Sequence, residues 1–397
     1  MSAVPIEPLF DEERMRVYPL LSLLIYLLAA IAVVASSTAL IDVFGKPLGY
    51  DFITFWSASL LTLQGHAADA FDFHKIFAAQ RIAVPAGQSI FLWHYPPTFQ
   101  LVAAPLALLP YLVSYLVFTI GTLALYVFTC GRLLKLKEAA ILLVAFPGVF
   151  ICAFHGQNSF LSAALFAGAV LAMERRPALA GVLLGLLAFK PQLGLLIPVA
   201  LIASRQWRVF FITGATALCF ALVATLVFGV DLWIAFFKDA PVVREIMESG
   251  FLPWGKMPSA FIFFRMLGVP ATLAYAAQVL TALGAAAAVA WVWYKQGPTR
   301  LAFAVLVSAT LLLTPYIFDY EFAILAVPLS ILASDMVDRG ATRNEKIALV
   351  ALYGMPAIAA PLAGATHFQI GFPLLLLALG FSVRRALSLQ PEAVSSK

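Results

Sequence analysis

Read from its N-terminus, the chain repeats one pattern. A run of Leu, Ile, Val, Ala and Phe is followed by a short break carrying Lys/Arg, Gly/Pro or a polar turn, and then by another run. Cut at those breaks, the apolar segments fall near 17–41, 111–131, 139–154, 159–173, 178–189, 192–204, 209–229, 271–294, 301–317, 322–334, 347–362 and 370–383. Such segments predict membrane helices, about twelve crossings of a hydrocarbon layer roughly 30 Å thick. Several of them, such as 178–189 and 192–204, are too short at about 1.5 Å per residue to cross alone. Either flanking residues complete them or they are broken helices, which a membrane protein tolerates where they are buried or line a cavity.

Two connections on the outer side are longer than the rest, 42–97 and 230–258. The first contains Ile53 to Gln64, rich in apolar and aromatic residues, and then Asp69 to Ile82, where Phe73, Ile76 and Phe77 share a helical face while Asp72 and Lys75 point elsewhere. Both stretches are predicted as helices lying in the membrane interface, anchoring the loop and able to roof a site. No low-complexity linker, 20-to-50-residue repeat or appended soluble domain divides the chain, so residues 1–397 read as a single membrane domain. The fold class expected is an all-α polytopic membrane protein.

Composition adds the exclusion of a water-soluble body. With 63% hydrophobic and 11% charged residues and a mean hydropathy of +0.96, too little polar surface exists to coat one. The net charge of +5 does not point to nucleic acid, because the basic residues sit in twos and threes between apolar runs instead of on one face. They act as topology signals. With the N-terminus in the cytoplasm, most of the 25 Lys and Arg residues fall on that side, from Arg14 and Arg16 to Arg384, Arg385 and Lys397, and both termini lie inside. The first run follows Glu7, Asp11, Glu12, Glu13, Arg14 and Arg16. It is too long for a signal peptide and lacks a small-residue cleavage site, so it should stay as a signal anchor. Cys130, Cys152 and Cys219 lie in apolar stretches without CxxC spacing, which predicts small core hydrophobes and neither disulfide nor zinc.

Candidate chemistry lies where polar residues are costly. Asp51, in Gly49-Tyr50-Asp51-Phe52-Ile53 just past the first apolar run, is the candidate base. It is also suited to cap the helix that follows, but a cation and sugar-compatible polar turns predicted on the same side raise the catalytic reading above that one. Lys190, in Phe189-Lys190-Pro191-Gln192, falls between two half-segments, where an ionisable side chain costs about 2.5 to 3.5 kcal/mol on insertion scales. It either snorkels to the outer headgroups or holds an anionic partner. His155, Gln157 and Asn158 form a tight polar turn whose carboxamides suit a sugar or phosphate and whose four residues also suffice to reverse the chain. His94 and Tyr95 precede Pro96-Pro97, where two prolines stiffen the chain entering the next run. Asp319 and Glu321 occupy a further outer turn, as carboxylates that bind an acceptor or a metal, or as a solvated turn, the favoured reading. Arg265 lies beside the second long loop.

In their order along the chain, Tyr50-Asp51-Phe52, Tyr95-Pro96-Pro97, Gly156-Gln157-Asn158 and the stretch from Ala180-Gly181 to Lys190-Pro191 resemble glycosyltransferase family 87, polyprenyl-phosphate-mannose-dependent members of the GT-C superfamily. The resemblance implies a GT-C-like helical bundle in a bacterial plasma membrane. It would be a hexosyltransferase moving a sugar, mannosyl by analogy, from polyprenyl phosphate to a glycolipid or glycan acceptor on the non-cytoplasmic face. In such enzymes an acid in the first outer loop acts as the base of an inverting reaction, and Asp51 falls at that position.

The chemistry asked of the residues follows. A carboxylate within about 3 Å takes the acceptor's hydroxyl proton, an effect worth about 10²- to 10⁴-fold. A cation, with Lys190 preferred over His155 and then Arg265, answers the charge growing on the departing phosphate. The loop lacks the Asp-Asp or Glu-Asp pair of other GT-C families, and there is no Asp-x-Asp motif, so neither metal nor cofactor is expected. A transporter or flippase of lipid-linked sugars is the alternative. Against it, the chain shows no two similar halves with paired broken helices.

Overall fold

The computed structural model describes residues 12–388. Glu7, Asp11 and Lys397 of the charge pattern lie outside them. Among the described residues the regular structure is helical, apart from two isolated bridges, Thr38 to Ile41 and Ile41 to Pro47. The chain runs through α1 (Glu12–Ser36), α2 (Phe52–Leu63), a 3₁₀ turn (Ala67–Phe71), α3 (Phe73–Ala83), α4 (Pro97–Ala103), α5 (Tyr111–Gly131) and α6 (Ala139–Val144). It continues through α7 (Pro147–His155), α8 (Ser159–Met173), α9 (Pro177–Leu186), α10 (Pro191–Gly194), α11 (Ile197–Ala203), α12 (Trp207–Phe228) and α13 (Asp231–Glu248). Next come α14 (Ala260–Met266), α15 (Ala271–Gln296) and α16 (Arg300–Thr310). A 3₁₀ helix (Asp319–Leu325) then flows into α17 (Ala326–Arg339), before α18 (Arg343–Thr366) and α19 (Gly371–Leu387).

Six helices are long and apolar enough to cross a membrane: α1, α5, α12, α15, α18 and the continuous Asp319–Arg339 helix. Shorter apolar helices fill the space between them. The chain is thus a polytopic helical protein of the membrane-embedded kind. Several predicted segments resolve into pieces. The run 139–154 divides at Phe146-Pro147 into α6 and α7, because proline at the first helical position cannot continue the preceding turn. The run 301–317 is helical only to Thr310.

The half-segments around Lys190 are broken helices. α9 tightens into a 3₁₀ turn, Leu187–Phe189, and Lys190 leaves the helical region at φ −138° before Pro191 starts the next turn. The centre of the bundle is the Asp319–Arg339 helix, 83% buried over its apolar window, against 6% for α1 at the edge. α16, all of whose residues from Leu301 to Thr310 are buried, packs beside it.

The first long loop departs from its expectation. Nine of the twelve residues of α2 are buried, so Ile53 to Gln64 does not lie flat in an interface but inserts among α3, α4 and α5. Its physical reason is aromatic packing: Phe52 contacts Tyr111, Tyr115 and Phe118, and Phe55 contacts Trp93, Tyr95 and Phe99. In α3 only Ile76 of the expected apolar trio is buried, and Phe73 is exposed. The amphipathic helix with outward apolar residues is instead α13 in the second loop, which leaves Ile234, Phe237 and Val242 exposed. Cys130 and Cys152 are buried as expected, whereas Cys219 is exposed on the outward face of α12.

Candidate active site

Backbone geometry places Asp51. Gly49 and Tyr50 both adopt left-handed conformations, φ +87° and +44°, and the second is a strained choice for a residue with a side chain. Tyr50 is held there by its hydroxyl, which donates to Asp42 Oδ2, and by ring contacts with Phe154 and His155. Asp42 is itself fixed by accepting from the Phe44 and Lys46 amides. The turn delivers Asp51 to the residue before α2, yet its side chain makes no capping hydrogen bond, so the capping role is not realised.

What Asp51 does touch is Gln157. The Gln157 carboxamide donates from Nε2 to Asp51 Oδ2 at 2.9 Å, and its Oε1 accepts from the Tyr95 hydroxyl at 3.0 Å. This chain fixes which way the carboxamide faces. Burial, with the charges of Asp51 and Glu321 close by, pushes the Tyr95 phenol far above its ordinary range, and burial with the charges of Asp51, Asp239 and Glu321 raises Tyr316. Both stay protonated donors. Among the described residues Asp51 has no ion-pair partner, and its side chain is partly exposed.

Gln157 owes its place to Gly156, which ends α7 in the left-handed region at φ +59°. A Cβ there would stand 2.5 Å from Phe52 Cβ and 3.0 Å from the Tyr115 ring. Only glycine fits both the conformation and the space.

Lys190 is 3% exposed and does not snorkel. Its ammonium lies 2.6 Å from Glu321 Oε1 and donates to Asn158 Oδ1 at 3.0 Å. The break in the helix at Lys190 therefore feeds a buried ion pair. Glu321 and Asp319 are 2% and 4% exposed, so their segment is not the solvated turn that was one expectation for it. The 3₁₀ helix carrying them is wedged against α7 and α8. Gly148 permits that approach, because a Cβ there would stand 2.9 Å from the Ala323 amide nitrogen. Three polar atoms here are buried without a hydrogen-bond partner: Asp319 Oδ1, Glu321 Oε2 and Asn158 Nδ2. Orphaned atoms at this density are costly unless something else meets them.

On the other flank of Gly156, His155 Nδ1 lies 2.9 Å from the Ile151 carbonyl and Nε2 lies 3.2 Å from Lys256 Nζ. Asp319 is within electrostatic reach of His155, Lys256 and Asp51. His94 pairs with Asp239 of α13 at 2.6 Å, and Phe71 packs on Phe236, so the two long loops clasp one another. A cavity of about 740 Å³, lined by Arg244, Glu248, Tyr275 and Tyr316 among others, opens between α13 and α15. Arg265 stands apart from this group: it donates to the Val269 carbonyl and lies over the Trp254 ring.

The fold thus gathers Asp51, Tyr95, His155, Gln157, Asn158, Lys190, Asp319 and Glu321, with His94 at the rim. Missing from the expected set were Asp42, Lys256, Asp239 and Tyr316. Asp42 had a local signal, the acid three residues before Gly45 in a tight turn. The other three become neighbours of the site only through tertiary packing.

A helical membrane bundle enclosing an unpaired carboxylate, polar carboxamides and orphaned oxygens fits the class of membrane-embedded group-transfer enzymes. The model of glycosyltransferase family 87 matches residues 93–315, more than half of the chain, and the protein belongs to that family. It is a glycosyltransferase, which sets the transporter alternative aside. Asp51, Asp319 and Glu321 lie outside the matched span. No curated protein and no solved structure matches the chain.

Proposed function

We propose that the protein is an inverting hexosyltransferase that moves a sugar, by family analogy a mannosyl unit, from polyprenyl phosphate to a glycolipid or glycan hydroxyl outside the cytoplasm. The observation that carries this reading is Asp51: a carboxylate without an ion pair, oriented by Gln157, partly open to solvent and surrounded by groups suited to sugar hydroxyls. In the reaction the acceptor oxygen attacks the sugar C1 from the face opposite the phosphate. Its proton passes to Asp51, the C1–O bond to phosphate breaks, and the electron pair leaves with polyprenyl phosphate. One carboxylate suffices for this outcome.

The orphaned Asp319 Oδ1 and Glu321 Oε2 are the acceptors for sugar hydroxyls, and Asn158 Nδ2 is a donor. The cavity between α13 and α15 offers the acceptor an aromatic and charged approach through Tyr275, Arg244 and Tyr316. The outer placement is supported by the Asp319–Arg339 helix. Asp319 begins it at the site, and Arg339, about 30 Å away at 1.5 Å per residue, joins Asp335, Glu345 and Arg385 in a cluster of charge at the end assigned to the cytoplasm.

The test is transfer from a defined polyprenyl-phosphate sugar in reconstituted membranes. Asp51→Asn removes the base while keeping the hydrogen bond geometry, and a loss of about 10²- to 10⁴-fold in kcat is expected. Unchanged turnover would remove Asp51 from this role, and uptake of intact donor without glycosidic product would restore the transporter.

A further inference from the structure

Resting on that reading, a question of charge remains: which cation receives the leaving phosphate. Lys190 is already answered. Its ammonium has Glu321 at 2.6 Å and Asn158 at 3.0 Å, so two of its three donors are engaged. Recruiting it would strip a buried carboxylate of its counter-charge. Arg265 points away, to Val269 and Trp254.

Lys256 is different. It is partly exposed, belongs to the 3₁₀ turn Trp254–Lys256 of the second long loop, and makes no ion pair within 4 Å among the described residues. Among the described residues the one hydrogen-bond partner of its ammonium is His155 Nε2. The tautomer follows from the two contacts of that ring. Nδ1 faces the Ile151 carbonyl, which can only accept, so Nδ1 carries the hydrogen, and Nε2 is left to accept from the ammonium. His155 is therefore a positioning residue that holds Lys256, and two N–H donors of the ammonium remain unengaged. Asp319 lies within electrostatic reach of both groups without a hydrogen bond or ion pair to either among the described residues, and its buried Oδ1 is unpartnered. Tyr50, whose ring packs on His155, is the residue before Asp51 and so links this pair to it.

We infer that Lys256, aimed by His155, is the binding site for the phosphate of the polyprenyl donor, and that Lys190 is a structural cation. When the C1–O bond breaks, the negative charge gained by the phosphate oxygen meets the Lys256 ammonium, and no proton need move from the lysine.

The experiment measures binding of farnesyl phosphate to the full-length protein in detergent, with farnesol, inorganic phosphate and phosphatidic acid as comparisons. Lys256→Met removes a charge-assisted hydrogen bond to the phosphate and should weaken farnesyl phosphate about ten- to hundredfold while leaving farnesol unchanged. Lys256→Arg should stay within a few-fold of the native protein. His155→Phe should weaken binding, and His155→Gln, which keeps an acceptor, should recover part of it. Asp51→Asn should bind farnesyl phosphate normally while losing transfer, which separates this inference from the assignment of the base. Native affinity in Lys256→Met overturns the proposal, even if transfer from the donor is established. So does competition by phosphatidic acid as effective as that by farnesyl phosphate, which would make the site one for ordinary headgroups. Should Lys256→Met not fold, Lys256→Gln replaces it with the same expectations.

Discussion

At the scale of single residues, the site separates cations and acids by what already neutralises them. Among the described residues Asp51 has no ion-pair partner, and Gln157 orients it with a neutral carboxamide. Lys190 and Glu321 form a closed pair. Breaking such a pair from one side leaves a buried charge, so Lys190→Met should destabilise the protein by about 3–5 kcal/mol. The double substitution Lys190→Met with Glu321→Leu should recover much of that loss. Thermal unfolding in one detergent reads both variants, and equal stability of native and Lys190→Met protein would contradict the closed pair. The candidacy of Asp51 and Lys190 was legible in the sequence because each interrupts an apolar pattern at a cost. Their partners were not. Gln157 lies 106 residues from Asp51, and no local rule pairs them.

At the scale of elements, the turn from α7 into α8 is the hinge of the arrangement, since it carries His155 toward Lys256, Gln157 toward Asp51 and Asn158 toward Lys190. Gly156 sets its direction. Gly156→Ala should cost at least about 1–2 kcal/mol for the left-handed backbone alone, with more from the collision with Phe52. The same variant should lower kcat by moving Gln157. Full activity together with native stability would show that the turn has slack. The polar turn itself was visible in the sequence as four residues between apolar runs, and so was the break at Phe189-Lys190-Pro191. The burial of α2 was not. Its aromatic residues fit an interface as well as an interior, and only the facing Tyr111, Tyr115, Phe118 and Phe99 decide between them.

At the scale of the whole molecule, apolar residues cover both inside and outside. α12 exposes Leu218 and Leu226 at 73% and 76%, and α1 exposes Leu20, Leu24 and Ile25. Such a surface is stable only against lipid. Leu218→Lys, harmless on a water-facing helix, should therefore lower membrane insertion by an amount corresponding to about 2.5–3.5 kcal/mol. A glycosylation-mapping or protease-protection assay of the inserted fraction checks it, and unchanged insertion would place that face against protein or water.

The sequence by itself determined the class of molecule and the positions where polarity is costly, because period, run length and hydropathy are local properties that each segment carries alone. It offered the broken helix at Lys190 as one of two outcomes, through the proline that stops helical continuation, and the structure shows the break. Tertiary structure alone decided that Lys190 is answered by Glu321 across 131 positions, that Lys256 stands beside His155 across 101, and that α2 is buried. Whether a charge is free or spent depends on what lies within about 4 Å of it, and in a bundle that neighbour comes from a helix far away in the chain.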